Sequence, residues 1–283
     1  MKQRFLITGA RGQLAQEFAR YFAQHKIDYV ALDRQHLNIA NQEAVEAAIK
    51  THQPDVVLNC AAYNHVNQAQ IDFESALDVN ARAVGFLANA CQNCGALLVH
   101  YSSDFVFDGQ KKDFYSEDDK PGPINLYGES KLKGEEILKK SSGDWLLLRV
   151  SWVFGHGPGS FLGKLDKLAA VQPTLFMTTD YISIPTYTKD IVAYTLMLLE
   201  KGVRGTYNMA NSSYASKYEL AKYYLKKRGL NNLILPVTSN YFPQDVKRPY
   251  FSALSTKKLE KELNIKIPDW TDALDRYIKD SGK

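Results

Sequence analysis

Tyr127 and Lys131 stand four residues apart in Leu126-Tyr127-Gly128-Glu129-Ser130-Lys131, and their types and spacing suggest chemistry. On a helix the two side chains share a face, which sets an ammonium beside a phenol. A free tyrosine ionises near pH 10. Bringing that value to near 7 takes about 4 kcal/mol of preference for the anion, which a nearby cation supplies in a partly dry site. Such a tyrosine works as an acid or base at neutral pH. The same spacing also arises by chance on solvated helices, so its weight depends on its companions. Ser103, in Ser102-Ser103-Asp104, follows a buried apolar run. It reads either as a turn cap or as a hydroxyl that hydrogen-bonds a substrate carbonyl.

The elements that would position these groups begin with the apolar run Arg4 to Thr8. It ends in Thr8-Gly9-Ala10-Arg11-Gly12-Gln13-Leu14-Ala15, followed by an amphipathic stretch to about Gln24. The spacing predicts a strand, a tight glycine turn and a helix. Gly9 permits the turn, and Gly12 lets the backbone approach a pyrophosphate resting on the helix N-terminus. Ala15 occupies the third glycine position, where a methyl is tolerated. A second strand, Tyr29 to Leu32, ends in Asp33, where an acid binds a ribose hydroxyl. These features predict a dinucleotide site. Arg11 and Arg34 offer partners for a 2′-phosphate, which favours NADPH and leaves NADH open.

The alternation continues through a helix at Gln42 to Thr51, a strand at Val56 to Asn59, a long helix from Phe73 to Asn93 and a strand at Leu97 to Ser102. The small residues of Cys60-Ala61-Ala62-Tyr63 would let a cofactor pass close to a strand end. The expected fold class is α/β, a doubly wound parallel sheet of Rossmann type with ligands at the carboxyl ends of the strands. Asp108 to Pro123, polar and rich in Gly and Pro, predicts a mobile loop over the site. After a fifth strand, Trp145 to Val150, the pattern breaks at the glycine-rich turn Ser151 to Gly159. Residues 1–150 are thus expected to form the dinucleotide-binding domain. Residues 151–283 would form mainly a smaller substrate lobe, with some segments, about 188–202, packing back on the first domain.

Composition bounds the partners. The 45% apolar and 23% charged content is ordinary for a globular enzyme, and the +4 net charge is spread without blocks of like sign. Neither nucleic acid nor a membrane surface is implied. Three cysteines, Cys60, Cys91 and Cys94, fit a reducing compartment better than a disulfide framework. The Cys91/Cys94 pair, followed by Gly95, reads as a helix end. No apolar run reaches the roughly 20 residues of a membrane span, and a strand from Arg4 leaves no room for a signal peptide, so a cytoplasmic location is expected. The six histidines form no H-x-x-x-H pair, and no metal site is predicted.

Together these pieces resemble the extended short-chain dehydrogenase/reductases and, within them, the dTDP-4-dehydrorhamnose reductase family. The resemblance runs from the first strand to near residue 270. It is carried by the TGARGQL turn, NCAAYNHVNQA at 59–69, SSDFVFDG at 102–109, YGESKLKGE at 127–135, RVSWVFG at 149–155, IPTY at 184–187 and RPYFSAL at 248–254. It implies that NAD(P)H reduces C4 of a nucleoside-diphosphate 4-keto-6-deoxy sugar. Tyr127 would then be the proton donor, Lys131 would bind the nicotinamide ribose and favour the phenolate, and Ser103 would align the carbonyl. It further implies that Gly12, Gln13 and Leu14 approach the pyrophosphate and that Asn38 and Ile39 flank the adenine. Ala61, Ala62, Tyr63 and Asn64 would line the nicotinamide side. Val66 and Trp152 would bound the sugar with Asp104 nearby, and Arg248 is a candidate for the nucleotide end, since a fork of donors suits a diphosphate.

Several positions depart from the family pattern. Ser103 replaces threonine and loses the methyl that fixes its rotamer. Asn38 and Asn67 replace aspartates, and Tyr181 and Ser183 replace Gln and Gly. The resemblance leaves room for an epimerase that retains NAD, which net consumption of reduced cofactor would exclude, and for a non-catalytic regulatory homologue, against which the retained Ser103, Tyr127 and Lys131 argue. A homodimer is a superfamily expectation.

Overall fold

The computed structural model describes residues 3–157, 159–243 and 246–281; Pro158 of the glycine-rich turn lies outside the described residues. The first half alternates as the apolar pattern requires: β1 (Arg4–Thr8), α1 (Gln13–His25), β2 (Asp28–Leu32), α2 (Gln42–His52) and β3 (Val56–Asn59). Next come the short helices α3 (Val66–Ile71) and α4 (Phe73–Leu77), a π-helical turn at Asp78–Arg82 and α5 (Ala83–Cys94). The expected single helix from Phe73 is therefore interrupted, and the wider turn carries Asn80 inward, where it is buried. Then follow β4 (Leu97–Ser103), α6 (Leu126–Lys140) and β5 (Trp145–Val150).

All strands of the main sheet are parallel, and Phe5 and Ile7 face one helical layer while Leu6 faces the other. On the first face α1 packs through Phe18 and Phe22; on the second, α2 and α5 pack through Val45, Ile49 and Leu87. Each such side chain contributes about 1.5–3 kcal/mol of burial.

The remaining elements are β6 (Val153–Phe154), α7 (Phe161–Val171), β7 (Thr174–Thr178), β8 (Ile182–Ser183), β9 (Thr186–Tyr187), α8 (Thr188–Glu200), β10 (Gly205–Asn208), β11 (Ala215–Ser216), α9 (Lys217–Lys227), β12 (Leu233–Val237), α10 (Lys257–Leu263) and α11 (Trp270–Ser281). β10 pairs with β5 and completes a sheet of order β10-β5-β4-β3-β1-β2, one strand more than the apolar pattern announces. Gly205-Thr206-Tyr207-Asn208 is too short and polar to read as a strand in isolation. α8 lies in the same layer as α1, joined through Ile191, Val192 and Leu198. A separate core joins α7, α9 and α11 around Leu162, Tyr224 and Leu274.

The expectation of a mobile loop at Asp108 to Pro123 is overturned. Tyr115 is buried, stacks on Phe107 at 4.3 Å, and its hydroxyl donates to Asp108. Its backbone pairs with Ala253 and Ser255, and Glu117 accepts from the Asn208 amide of β10. Side chains spaced along a polar segment thus meet distant backbone, and the segment is fastened at the sheet edge beside β10 instead of spanning the cleft.

Helix α6 is seated by close contact and buried charge. Asn125 caps it by accepting from Gly128 N at 2.8 Å. Gly134 lies so close to the π-helical turn that a Cβ there would collide with the Asn80 carbonyl oxygen. Glu135 receives two hydrogen bonds from the Arg149 guanidinium of β5, at 2.9 and 2.7 Å, and both residues are almost wholly buried. Replacing Glu135 by Leu strands the arginine charge in the interior. We expect a loss of about 3–5 kcal/mol in urea unfolding; a loss below about 1 kcal/mol would mean that the pair does not hold the helix.

Candidate active site

The strand order reverses between β1 and β3, the place where an open α/β sheet forms its crevice. Three hollows of about 390, 360 and 190 Å³ follow one another along that edge. The first two share Gly12, Ala61, Ala62 and Asn64, and the second and third share Phe105 and Trp152. A groove thus runs from Asp33, across the glycine turn, past Tyr127 to Arg248.

At one end Gly9 has φ +68°, and a Cβ there would lie 2.8 Å from Ala61 backbone atoms. This contact demands glycine on one side and a small residue on the other. Gly12 is the N-cap of α1, and Gln13 and Leu14 line the central hollow beside it. Arg34, Asn38, Ile39 and Tyr63 line the first hollow with Asp33 and Arg11. The Asp33 carboxylate is already engaged: His36 and Arg11 each approach it at 2.7 Å. The His36 hydrogen bond foremost, with Arg11 assisting, brings its pKa down to about 2. Arg34 and Asn38 are exposed at the rim.

Tyr127, Lys131 and Ser103 meet in the central hollow, with Asn64 and Val66 opposite. Lys131 is buried, and its ammonium donates to the Tyr101 carbonyl at 2.7 Å. Burial lowers its pKa to about 8, against the pull of Glu135 one turn on. The Tyr127 hydroxyl donates to Asn64 at 3.4 Å, and its ring meets Phe105 edge to face. The expectation that Lys131 depresses the tyrosine is corrected here. Burial dominates and raises Tyr127 to about 12, with Asp104 adding to the rise and Ser103 opposing it. The free protein therefore stores a neutral phenol. Ser103 fills the turn-cap role, its oxygen accepting from Phe105 N and its hydroxyl donating to Asp104, and it also lines the hollow. Those two bonds orient it without the missing methyl.

Trp152 divides the second and third hollows and holds a φ of +35°, a strained value for a bulky residue that the surrounding packing must enforce. Asp104 is buried beneath, accepting from Ser183 at 2.7 Å and Ser252 at 2.6 Å, with its pKa raised by burial. Arg248 donates to the neutral Asn67 at 2.9 Å, and among the described residues no acid pairs with it.

Two residues of the site carry no signal that sequence reasoning detects. Asn80 bonds both the N–H and C=O of Tyr63 and donates to Ser130 of α6, fastening the loop after β3 to the helix of Tyr127. An asparagine inside a helical run is the lone hint. Lys217, first residue of α9, enters the third hollow from more than sixty positions beyond Trp152 in sequence.

Over residues 3–282 the chain matches the family model described as the RmlD substrate binding domain. The chain belongs to this family. Among RmlD relatives, the spore coat polysaccharide biosynthesis protein SpsK of Bacillus subtilis is 36% identical, covering 97% of this chain and 96% of that one. A dTDP-4-dehydrorhamnose reductase of Burkholderia thailandensis is 34% identical, with 98% of each chain covered. The crystal structure of the Bacillus anthracis dTDP-4-dehydrorhamnose reductase in complex with NADP superimposes with a TM-score of 0.96 at 30% identity, covering 99% of this chain and 100% of that one. The RmlD fold is thus matched across the whole groove, including the lobe that brings Arg248 and Lys217 to it.

Because burial governs Tyr127, its ionisation should lie above the ordinary phenol range near pH 10 in the free protein. The difference in phenolate absorbance between wild type and Tyr127→Phe should stay flat up to pH 10. A tyrosinate appearing near pH 7 in that difference would restore the cation-depressed tyrosine.

Proposed function

We propose that this protein reduces the C4 keto group of dTDP-4-dehydro-L-rhamnose with NADPH, giving dTDP-L-rhamnose. The observation that carries this reading is the meeting of Tyr127, Lys131 and Ser103 in one hollow continuous with the glycine turn. The cradle fits a dinucleotide. The N-terminus of α1 offers amide donors beside Gly12, the buried Gln13 side-chain oxygen has no partner among the described residues, and Ala61 and Ala62 leave room along the strand end. Gly9, Gly12, Gln13 and Leu14 would hold the pyrophosphate; Asp33, Arg34, Asn38 and Ile39 the adenosine; and Ala61, Ala62, Tyr63, Asn64 and Lys131 the nicotinamide riboside. When bound, the reduced nicotinamide supplies a hydride to the carbonyl carbon.

The rest is work for side chains. Ser103 turns its hydroxyl from Asp104 to the carbonyl oxygen and aligns it. Tyr127, neutral across the physiological range, gives its proton to the oxygen as negative charge develops there. Transfer from a phenol to an alkoxide is downhill, because a phenol is the stronger acid. The phenolate left behind is favoured by the Lys131 ammonium, which has two N–H donors remaining beside the one given to Tyr101. Lys131 therefore stabilises the product state of the tyrosine more than its resting state, which suits a reductase. Val66 and Trp152 would bound the sugar. Arg11, now paired with Asp33, can release toward a 2′-phosphate, which supports NADPH over NADH. In this reading the substrate is a nucleotide sugar and the work is done in the cytoplasm; among the described residues no helix is long and apolar enough to cross a membrane.

The test is loss of NADPH absorbance on addition of dTDP-4-dehydro-L-rhamnose generated by its upstream enzymes. Wild type should consume cofactor stoichiometrically, whereas Tyr127→Phe should show no turnover with NADPH affinity retained within a few fold. Ser103→Ala should lose on the order of 10²-fold in kcat, about the worth of one oxyanion donor. Wild-type rates in Tyr127→Phe would sink the mechanism, and catalysis without net NADPH loss would point to an epimerase. Arg11→Ala should raise KM for NADPH by roughly tenfold and leave NADH nearly unchanged; equal effects on both would remove Arg11 from cofactor choice.

A further inference from the structure

The third hollow holds two cations, and among the described residues no acid pairs with either. Lys217 has its ammonium 3.4 Å from the Trp152 ring centroid and 4.4 Å from that of Phe161. Among the described residues it forms neither a hydrogen bond nor an ion pair. Arg248 shares the hollow, with Asn67 as its hydrogen-bond partner and its buried Nε unbonded among the described residues. The acid that acts on Lys217 is Asp104, whose carboxylate is already taken by the hydroxyls of Ser103, Ser183 and Ser252. Aromatic faces return part of the hydration that Lys217 loses, but they do not neutralise it. Its place at the first position of α9 adds to the cost, since the helix dipole there repels a cation and attracts an anion. Two partly desolvated charges of one sign persist most readily where a ligand brings the opposite charge. A sugar offers hydroxyls, which do not repay this cost. The diphosphate linking sugar to nucleoside carries two negative charges.

We propose that Lys217, together with Arg248, binds the diphosphate of the substrate, making Lys217 a specificity-determining residue for nucleoside-diphosphate sugars. This rests on the nucleotide-sugar reading above and deepens it. The sugar is thereby held from its anomeric substituent, on the far side of Trp152 from Tyr127, and the C4 carbonyl is presented by a charged contact remote from the reacting atoms. Burial foremost, then Arg248 nearby, lowers Lys217 to about 7 against the pull of Asp104, so the free site is only partly charged at neutral pH. An entering diphosphate favours the ammonium. Binding therefore takes up a proton, and affinity falls as pH rises through the free value.

The probe is dTDP-L-rhamnose, whose diphosphate diester does not titrate near neutrality, with binding followed by calorimetry in two buffers of different ionisation enthalpy. Wild type should take up a fraction of a proton at pH 7.5 and bind more weakly at pH 9 than at pH 6.5. Lys217→Met should bind on the order of 10- to 100-fold more weakly, as for loss of one charge-assisted contact, with no proton uptake and a flat pH profile. Lys217→Arg should recover most of the affinity without the pH dependence. NADPH binding reports whether each variant is folded, and proton uptake by wild type needs no variant. Wild-type affinity and proton uptake in Lys217→Met would overturn the inference and leave the reductase reading intact. Failure of wild type both to bind dTDP-L-rhamnose and to oxidise NADPH would overturn the reading on which it rests.

Discussion

The ammonium of Lys131 against the carbonyl of Tyr101 ties α6 to the central strand β4, and much of the candidate site follows from it. A lysine this deeply buried is costly, and the structure meets the cost locally. Glu135 stands one turn along the same helix, neutralised in turn by Arg149 of the adjoining strand. The chain of charges Lys131, Glu135, Arg149 alternates in sign through a dry interior, so each member restrains the next. Because Tyr127 shares the helix, its ring is placed by the same restraint. Close approach at Gly134 removes the freedom that remains.

Beneath the cleft the strand ends are joined by neutral polar groups. Thr8 donates to Asn59, and Asn59 donates to His100, whose charged form is disfavoured by burial and by Lys131. This floor keeps neighbouring strands in register without placing another charge beside Tyr127 and Lys131. Desolvation therefore acts in two ways: it raises Tyr127 so that the phenol keeps its proton, and in the proposed reaction it would strengthen the field of Lys131 on the phenolate left behind.

How much of this was legible in the sequence follows from the range of the interactions concerned. The glycine turn, the five long apolar strands and the Tyr127/Lys131 spacing are local patterns set by backbone geometry within a few residues, and they could be read directly. The sign of the Tyr127 shift could not, because the spacing reveals a nearby cation but not the burial that outweighs it. β10 is a strand because β5 offers an open edge, and its own four residues scarcely announce it. The Asp108 to Pro123 segment has loop composition but is fastened by Tyr115 and Glu117 to backbone about 90 to 140 residues away. Asn80 and Lys217 were invisible for the same reason, since each is defined by what it meets across the fold.

Charge along the groove is distributed unevenly, and this asymmetry accounts for how one crevice could order two anionic ligands. At the Asp33 end the arginine is internally paired, so its charge is released only when a competing anion displaces the carboxylate. At the Arg248 end, among the described residues, no acid pairs with either cation, so an entering anion meets no internal competitor for them. A ligand with a single anionic group would be drawn to the unpaired end, while a dinucleotide can also use the amide donors of α1 and the small residues packed against Gly9. Shape thus selects at the glycine turn and charge selects at the lobe. The neutral phenol of Tyr127 lies between them, where the proposed reaction would bring the substrate carbonyl.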